Sequence, residues 1–154
     1  MATNISMKTT DRKDWATPQW LYDKLDAEFH FTIDLAATAE NTKHERFYSP
    51  EQDSLSKDWN REVGYCNPPY GRNIGKWVKK ASEILTGTIV MLLPARTDVK
   101  WFHDFIYKSY YYDDREIRFL RGRLKYDDGK VGAPFPSMIV IFKGIAEVNH
   151  KKLS

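Results

Sequence analysis

The segment that most constrains the fold is a continuous apolar run within GTIVMLLPA, at residues 87–95. No polar side chain interrupts it between Ile89 and Leu93, so neither the alternation of a half-buried strand nor the periodicity of an amphipathic helix is present. Such runs are typical of strands in parallel sheets, which are buried on both faces because helices cover both sides. The run therefore predicts an α/β fold.

Helical and strand patterns alternate along the rest of the chain, as a largely parallel sheet requires. Helices are predicted at 17–29, where Thr17 and Pro18 look like a helix start, and at 73–85 and 97–110. Strands are predicted at 29–37, 63–66, 87–95, 116–124 and 137–144, with a short one near 45–49. We expect a single domain over residues 15–144, helices on both faces of its sheet, and loosely held segments at 1–14 and 145–154.

Composition indicates the broad class of protein but does not indicate an activity. The 154 residues are 42% apolar and 29% charged, which is typical of a globular protein. No run of about eighteen apolar residues is present, so we expect no membrane span and no membrane partner. The single cysteine, Cys66, excludes an internal disulfide and fits a reducing cytoplasm. No zinc site is expected, because the histidines lie apart from any cysteine pair.

Two stretches are basic and contain aromatic residues but no acid. One is GRNIGKWVKK at 71–80, and the other is IRFLRGRLKY at 117–126. Cations interleaved with aromatic rings suit the phosphates and bases of a nucleic acid. The alternative is that both stretches are solvated surface. On a strand, Arg121 and Arg123 would share one face.

The strand predicted at 63–66 is followed directly by Asn67-Pro68-Pro69-Tyr70. Proline cannot donate to a sheet ladder, so the pair must end the strand. The side-chain oxygen of Asn67 and the carbonyl of Pro68 could then accept from a planar amino group, and the ring of Tyr70 could stack on a base for about 1–3 kcal/mol. The alternative is a rigid turn without catalysis.

Ligands of parallel sheets bind outside the carboxyl ends of the strands. Asp34, with the Ala36 and Ala37 that follow it, ends the strand predicted at 29–37, and Asn67 follows the strand predicted at 63–66. Both stretches should therefore belong to one site.

The motif NPPY resembles the catalytic signature of S-adenosylmethionine-dependent methyltransferases that act on amino groups. The chain from Trp15 to Phe142 resembles the small phage-type, Dam-like DNA N6-adenine methyltransferases. The similar segments are WATPQWLYDKLDAEF, FTIDLAATAENT, SLSKDWN, YCNPPYG, GKWVKKA, LLPARTDVKWFH, FLRGRLKY and APFPSMIVIF. The resemblance implies a Rossmann-like methyltransferase fold whose last strand is antiparallel. It also implies methyl transfer from S-adenosylmethionine to N6 of adenine in double-stranded DNA.

The resemblance also assigns roles to individual residues. The adenine-binding, catalytic set is Asn67, Pro68, Pro69 and Tyr70. The cofactor-binding set is Thr17, Pro18, Asp34, Ala36, Asn41, Asp58, Trp59 and Asn67. Within this set, Asp34 would bind the ammonium group of the cofactor's methionine. Asp58 would accept a hydrogen bond from the amine of the cofactor's adenine, and Trp59 would pack on the adenine ring. The ribose-binding acid stays open among Glu40, Asn41 and Asp53. The DNA-binding set combines cations of the two basic stretches with the segments RTD (96–98) and GRL (122–124), which the resemblance places on the substrate side: Arg72, Arg96, Arg121, Arg123 and Lys125.

Two departures from the pattern keep alternatives open. DLAATAEN lacks the glycines that usually follow the first strand, and the chain has no room for a separate target-recognition domain. Sequence readout would then come from loops 111–116 and 126–136. Other acceptors are RNA adenine, cytosine N4 or a glutamine amide, and another class is a DNA-binding module without turnover. Asp34 and Asp58 could be local caps, Trp77 and Trp101 could be core, and a homodimer is left open.

Overall fold

The computed structural model describes residues 14–108 and 114–146. Its helices are α1 (Gln19–Phe29), α2 (Ile74–Ser82), α3 (Lys100–Phe102), which continues as a π-helical turn (His103–Tyr107), and α4 (Tyr126–Gly129). Its strands are β1 (Ile33–Asp34), β2 (Val63–Cys66), β3 (Thr88–Pro94), β4 (Arg115–Phe119), β5 (Val131–Gly132) and β6 (Ser137–Lys143). Short 3₁₀ turns lie at Pro50–Gln52 and Ser54–Ser56. Predictions for 1–13, 109–113 and 147–154 lie outside the described residues.

Five strands form one mixed sheet in the order β1-β2-β3-β6-β4. β1, β2 and β3 are parallel, and β6 runs antiparallel to both β3 and β4. The central strand β3 is buried on both faces, with Ile89–Leu93 at 0% exposure. The predicted α/β class and the antiparallel last strand are confirmed.

Helices cover opposite faces of this sheet. Arg115 and Arg118 of β4 are three positions apart, so their side chains leave the strand on opposite faces. Arg118 pairs with Glu28 of α1, whereas Arg115 donates to the carbonyls of Ser82, the last residue of α2, and Phe105, in the π-helical turn. α1 therefore lies on one face, and α2 and the π-helical turn on the other. In the part of the chain that the structure describes, no helix is long and apolar enough to cross a membrane.

The first strand is much shorter than predicted. The chain stays helical to Phe29, and His30 then turns it with a φ of 56°. Only Ile33–Asp34 form β1, and the strand predicted near 45–49 is reduced to a single bridge between Asp34 and Phe47. The backbone of Asp34 is thereby held between Tyr65 of β2 on one side and Phe47 on the other.

The helix predictions need corrections at their edges. Thr17 does not cap α1, because its hydroxyl bonds with Tyr65 and Asn67 instead. Trp20 and Leu85 were expected to face the core, yet each is 59% exposed. Trp20 lies in the first turn of α1, and Leu85 lies beyond the end of α2 at Ser82, so helical periodicity does not decide whether either side chain is buried.

The strand predicted at 116–124 ends at Phe119. Gly122, with a φ of 73°, turns the chain, so the expectation that Arg121 and Arg123 share a strand face is wrong. Both arginines lie exposed in the connection to α4.

One edge of the sheet collects the carboxyl ends of four strands. β4 points the same way as β3 because both are antiparallel to β6. The segments that follow β1, β2, β3 and β4 therefore all start at this edge.

Candidate active site

A cavity of about 280 Å³ opens at the carboxyl ends of β1 and β2. This volume lies near the lower end of small-molecule sites, roughly 300–1,000 Å³. Of the predicted site residues, seven line it: Thr17, Asp34, Ala36, Asn41, Asn67, Pro68 and Pro69. The segments at the ends of the two strands therefore line one cavity, as the topology predicts.

Asn67 lies at the first position after β2, where the two prolines stop the ladder. Its Nδ2 donates to the Trp15 carbonyl and, at 3.1 Å, to Thr17 Oγ1. Its Oδ1 is buried and has no hydrogen-bond partner among the described residues. A buried acceptor without a partner is costly, on the order of 1–3 kcal/mol, so it indicates a place where a ligand donor binds.

Asp34 is 3% exposed and presents its carboxylate to the same cavity. Its oxygens accept from the backbone N–H groups of Ala36 at 3.3 Å and Lys43 at 3.1 Å. Burial raises the pKa of Asp34 to about 6, although these hydrogen bonds and the charges of Lys43 and His44 act against the rise. A buried carboxylate of this kind is well suited to a cation, which would offset its desolvation.

Tyr70 does not line the cavity, which corrects its expected place as a stacking surface. Its ring is 7% exposed, and its hydroxyl donates to the carbonyl of Leu92 at 3.0 Å. The hydroxyl also lies 3.4 Å from that of Tyr126, and the ring meets Phe135 edge to face. Burial raises the pKa of Tyr70, so this phenol stays protonated inside the core.

Three residues assigned to the cofactor lie outside the cavity wall. Asp58 is exposed and accepts from the backbone and side-chain amides of Asn60, so it is a turn residue. Trp59 is 1% exposed, and its Nε1 donates to the carbonyl and hydroxyl oxygens of Ser54. Pro18 is buried beside Thr17 and begins α1. Their positions do not support direct cofactor contacts.

The structure adds wall residues that the sequence did not single out: Trp15, Lys43, Tyr48, Ser54 and Asp127. Trp77 was counted with the core face of α2, but it is half-buried and forms cavity wall, with its ring 5.9 Å from that of Trp59. Of the three ribose candidates, Asn41 and Asp53 line the cavity and Glu40 does not. Asn41 uses its Oδ1 to accept from the backbone of Thr38 at 2.7 Å. Asp53 therefore becomes the stronger candidate for binding hydroxyl groups.

Sequence signals for these additional residues were weak. The stretch from Ser49 to Gln52 has the spacing of a capping box, and the structure contains one there. That signal predicts the 3₁₀ turn before Asp53 but not its place in a cavity wall.

The predicted DNA-binding cations are all exposed and follow strand ends at the edge that carries the cavity: Arg72, Arg96, Arg121, Arg123 and Lys125. Among the described residues, none of these five side chains takes part in an ion pair. Arg118, from the same basic stretch, differs because Glu28 and Glu116 neutralise it. The free cations thus lie where an anion approaching the cavity would meet them.

Loop 126–136, which is expected to read DNA sequence, also contributes a residue to the cavity wall. Tyr126 is fully buried, with its hydroxyl 3.0 Å from Ser137 Oγ. Asp127 accepts from the backbone N–H of Ala16 at 3.1 Å and lines the cavity. Of loop 111–116, residues 111–113 lie outside the described part, and β4 begins at Arg115.

Comparison with known proteins finds similar proteins in two phages. A DNA N-6-adenine-methyltransferase of Haemophilus phage HP1 (strain HP1c1) is 29% identical over 164 aligned positions, covering 100% of this chain and 92% of the phage protein. A protein of the same name from Escherichia phage T1 is 39% identical over 93 positions, covering 57% of this chain and 38% of its own length. The Dam family model, described as DNA N-6-adenine-methyltransferase, matches residues 4–152. The chain therefore belongs to the Dam family of DNA N-6-adenine-methyltransferases.

Proposed function

We propose that this chain transfers a methyl group from S-adenosylmethionine to the exocyclic N6 of adenine in double-stranded DNA, and that the reaction takes place beside Asn67. The observation that carries the proposal is the buried Oδ1 of Asn67, which lacks a partner among the described residues while both amide hydrogens are engaged. A substrate N–H would satisfy this oxygen.

The adenine amino group needs a hydrogen-bond acceptor beside it to react. The lone pair of the adenine amino nitrogen is delocalised into the ring, which makes the nitrogen a poor nucleophile. Hydrogen bonds from its N–H groups to Asn67 Oδ1 and the Pro68 carbonyl would favour a tetrahedral nitrogen and stabilise the positive charge that develops on it. The nitrogen then loses a proton to solvent, so no strong general base is required.

The cavity fits a cationic amino-acid ligand such as the cofactor. S-adenosylmethionine supplies, when bound, an electrophilic methyl group on a positively charged sulfur. The buried carboxylate of Asp34 would accept from the methionine ammonium, with Ala36 along the same wall. Asp53 would accept from the ribose hydroxyls, and Trp77 offers its ring to the cofactor adenine. These two residues take the places first assigned to Asp58 and Trp59.

The exposed cations beside the cavity would contact DNA phosphates. Arg72 directly follows the NPPYG motif, Arg96 follows β3, and Arg121 lies after β4. Each phosphate contact releases a counterion, so binding should weaken steeply with salt. We further propose a Rossmann-like single domain over residues 15–144, acting in the cytoplasm.

The test is an assay of the purified protein with methyl-labelled S-adenosylmethionine and duplex DNA. Digestion of the product to nucleosides should place the label on N6-methyl-2′-deoxyadenosine. Asn67→Ala should lower turnover at least about 100-fold while cofactor affinity is kept. The matched control is Asn73→Ala, because Asn73 is exposed and its side chain makes no capping bond. Label on cytosine, RNA or protein would change the acceptor, and DNA binding without any label would leave only a binding module.

A further inference from the structure

We infer that Thr17 and Tyr65 are positioning residues that hold the Asn67 amide so that its oxygen, and not its nitrogen, faces the substrate. The inference rests on the acceptor role proposed for Asn67. It assigns to the buried hydroxyl of Thr17 a task that differs from contact with the cofactor.

The two hydrogens of the Asn67 amide have separate acceptors. One goes to the carbonyl of Trp15, and the other to Thr17 Oγ1 at 3.1 Å. Both acceptors come from the segment before α1, about fifty positions away in sequence, so the fold and not the local chain holds the amide. The rotamer of Asn67 is therefore set by that segment.

Thr17 is itself held by Tyr65, whose hydroxyl lies 2.6 Å from Thr17 Oγ1. Thr17 is 3% exposed and Tyr65 is 1% exposed, so water does not compete for this hydrogen bond. Tyr65 belongs to β2 and precedes Asn67 by two positions, and side chains two positions apart on a strand point to the same face. β2 thus carries Tyr65, which fixes Thr17, and leads directly into Asn67, which Thr17 holds.

The orientation of the amide follows from the chemistry of the Trp15 carbonyl. A carbonyl can only accept, so a flipped amide would place two oxygens against each other there. It would also turn its N–H₂ group toward the substrate amine, and two donors would then oppose each other. The Trp15 carbonyl is held in place because Ala16 and Asp127 exchange two hydrogen bonds, of 3.0 and 3.1 Å.

Each contact therefore has a distinct effect on catalysis. The Trp15 carbonyl selects the orientation, and the Thr17 hydroxyl keeps the amide plane from rotating about its side-chain bond. Loss of that second contact would displace Oδ1 from the path of the developing charge. Because misplacement of a catalytic group by about 1 Å can cost roughly 100-fold in rate, we expect a partial loss of kcat, with cofactor binding kept.

The experiment compares three variants with the wild type in kcat, KM for DNA and the Kd of S-adenosylmethionine. Thr17→Val keeps the shape and removes the hydroxyl, and it should lower kcat about ten-fold with KM and Kd unchanged. Thr17→Ser keeps the hydroxyl and removes a methyl group, so it should restore most of kcat. Tyr65→Phe should lower kcat less than Thr17→Val, because Asn67 keeps its bond to Thr17.

A second readout observes the amide itself. In a ¹H–¹⁵N spectrum, the Asn67 side-chain resonances are assigned by their loss in Asn67→Ala. Thr17→Val should shift one of the two amide protons strongly and the other weakly, while Thr17→Ser leaves both near their wild-type positions. A role in packing alone would give the opposite order, since serine leaves a larger gap than valine.

The outcomes separate this inference from the proposed function. Unchanged kcat in Thr17→Val, or a loss explained entirely by a weaker Kd, would overturn the positioning role while adenine methylation stands. A wild-type protein that fails to methylate adenine would defeat the proposed function. In that case the amide resonances still decide whether Thr17 holds Asn67.

Discussion

Two carboxylates assigned to the cofactor by resemblance have opposite surroundings in the folded chain. Asp34 lies at the end of β1, 3% exposed, with its oxygens bound to two backbone N–H groups and its carboxylate on the cavity. Asp58 lies exposed in a turn, and its Oδ1 accepts from both amides of Asn60. The hydrogen bonds of Asn60 lower the pKa of Asp58, whereas burial raises that of Asp34.

The difference shows which sequence positions are reliable guides to a site. A residue at the carboxyl end of a parallel strand is delivered to a shared edge by the sheet itself. An aspartate in a turn can satisfy its oxygens with the backbone two residues further on, which is a common local structure. Asp58 does this, and the cavity contains Asp53 instead.

The strongest test of the comparison is Asp34→Asn. Removal of the charge that would face the cofactor ammonium should weaken S-adenosylmethionine binding by about 10- to 100-fold, since hydrogen bonds to charged groups contribute roughly 1.5–3 kcal/mol. Isothermal titration calorimetry measures the change. Equal affinity in variant and wild type would remove Asp34 from the cofactor site.

Without cofactor, the stability of the same variant relative to the wild type should increase with pH, even though asparagine has one acceptor oxygen for the two backbone N–H groups of Ala36 and Lys43. Burial raises the pKa of Asp34 from 3.8 to about 6, which corresponds to about 3 kcal/mol of unfavourable charge burial above pH 6. The folded state binds the extra proton, so wild-type stability from this group falls as pH rises from about 4 to 6. Urea unfolding should show the relative stability of Asp34→Asn growing over that range and then levelling. A relative stability that falls with rising pH contradicts the assignment.

Cofactor binding should in turn weaken in acid. With a pKa of about 6, Asp34 is mostly ionised at pH 7 and mostly protonated at pH 5. The Kd of S-adenosylmethionine should therefore rise about ten-fold between these values. Asp34→Asn provides the control, because its affinity should not follow the same curve. A wild-type Kd that stays constant over this interval would mean that another group binds the ammonium.

The smallest effect is expected for Asp58→Ala. The Kd of S-adenosylmethionine should not change, and the variant should lose a little thermal stability because the turn at Asn60 loses its acceptor. Thermal melting with and without cofactor separates the two quantities. If Asp58→Ala weakened S-adenosylmethionine binding, Asp58 would have the cofactor-binding role that the resemblance assigns to it. Asp53→Ala, measured beside it, should weaken binding.

Much of the fold was accessible from sequence because its signals are local. The apolar run of β3, the proline pair that ends β2 and the periodicity of α2 each depend on neighbouring residues, and all three predictions are confirmed. Element ends were less accessible. Trp20 is exposed, and β1 shrinks to two residues. There, packing against distant segments outweighs periodicity.

What the sequence by itself determined is that Asp34 ends one parallel strand, Asn67 follows another, and the two residues therefore lie at the same edge of the sheet. Only the tertiary structure decided how they are used. The orientation of Asn67 depends on Trp15 and Thr17, and the hydroxyl of Tyr70 is bound by the carbonyl of Leu92. Such contacts join residues far apart in the chain, and their geometry exists only once the segment before α1 has packed against the end of β2.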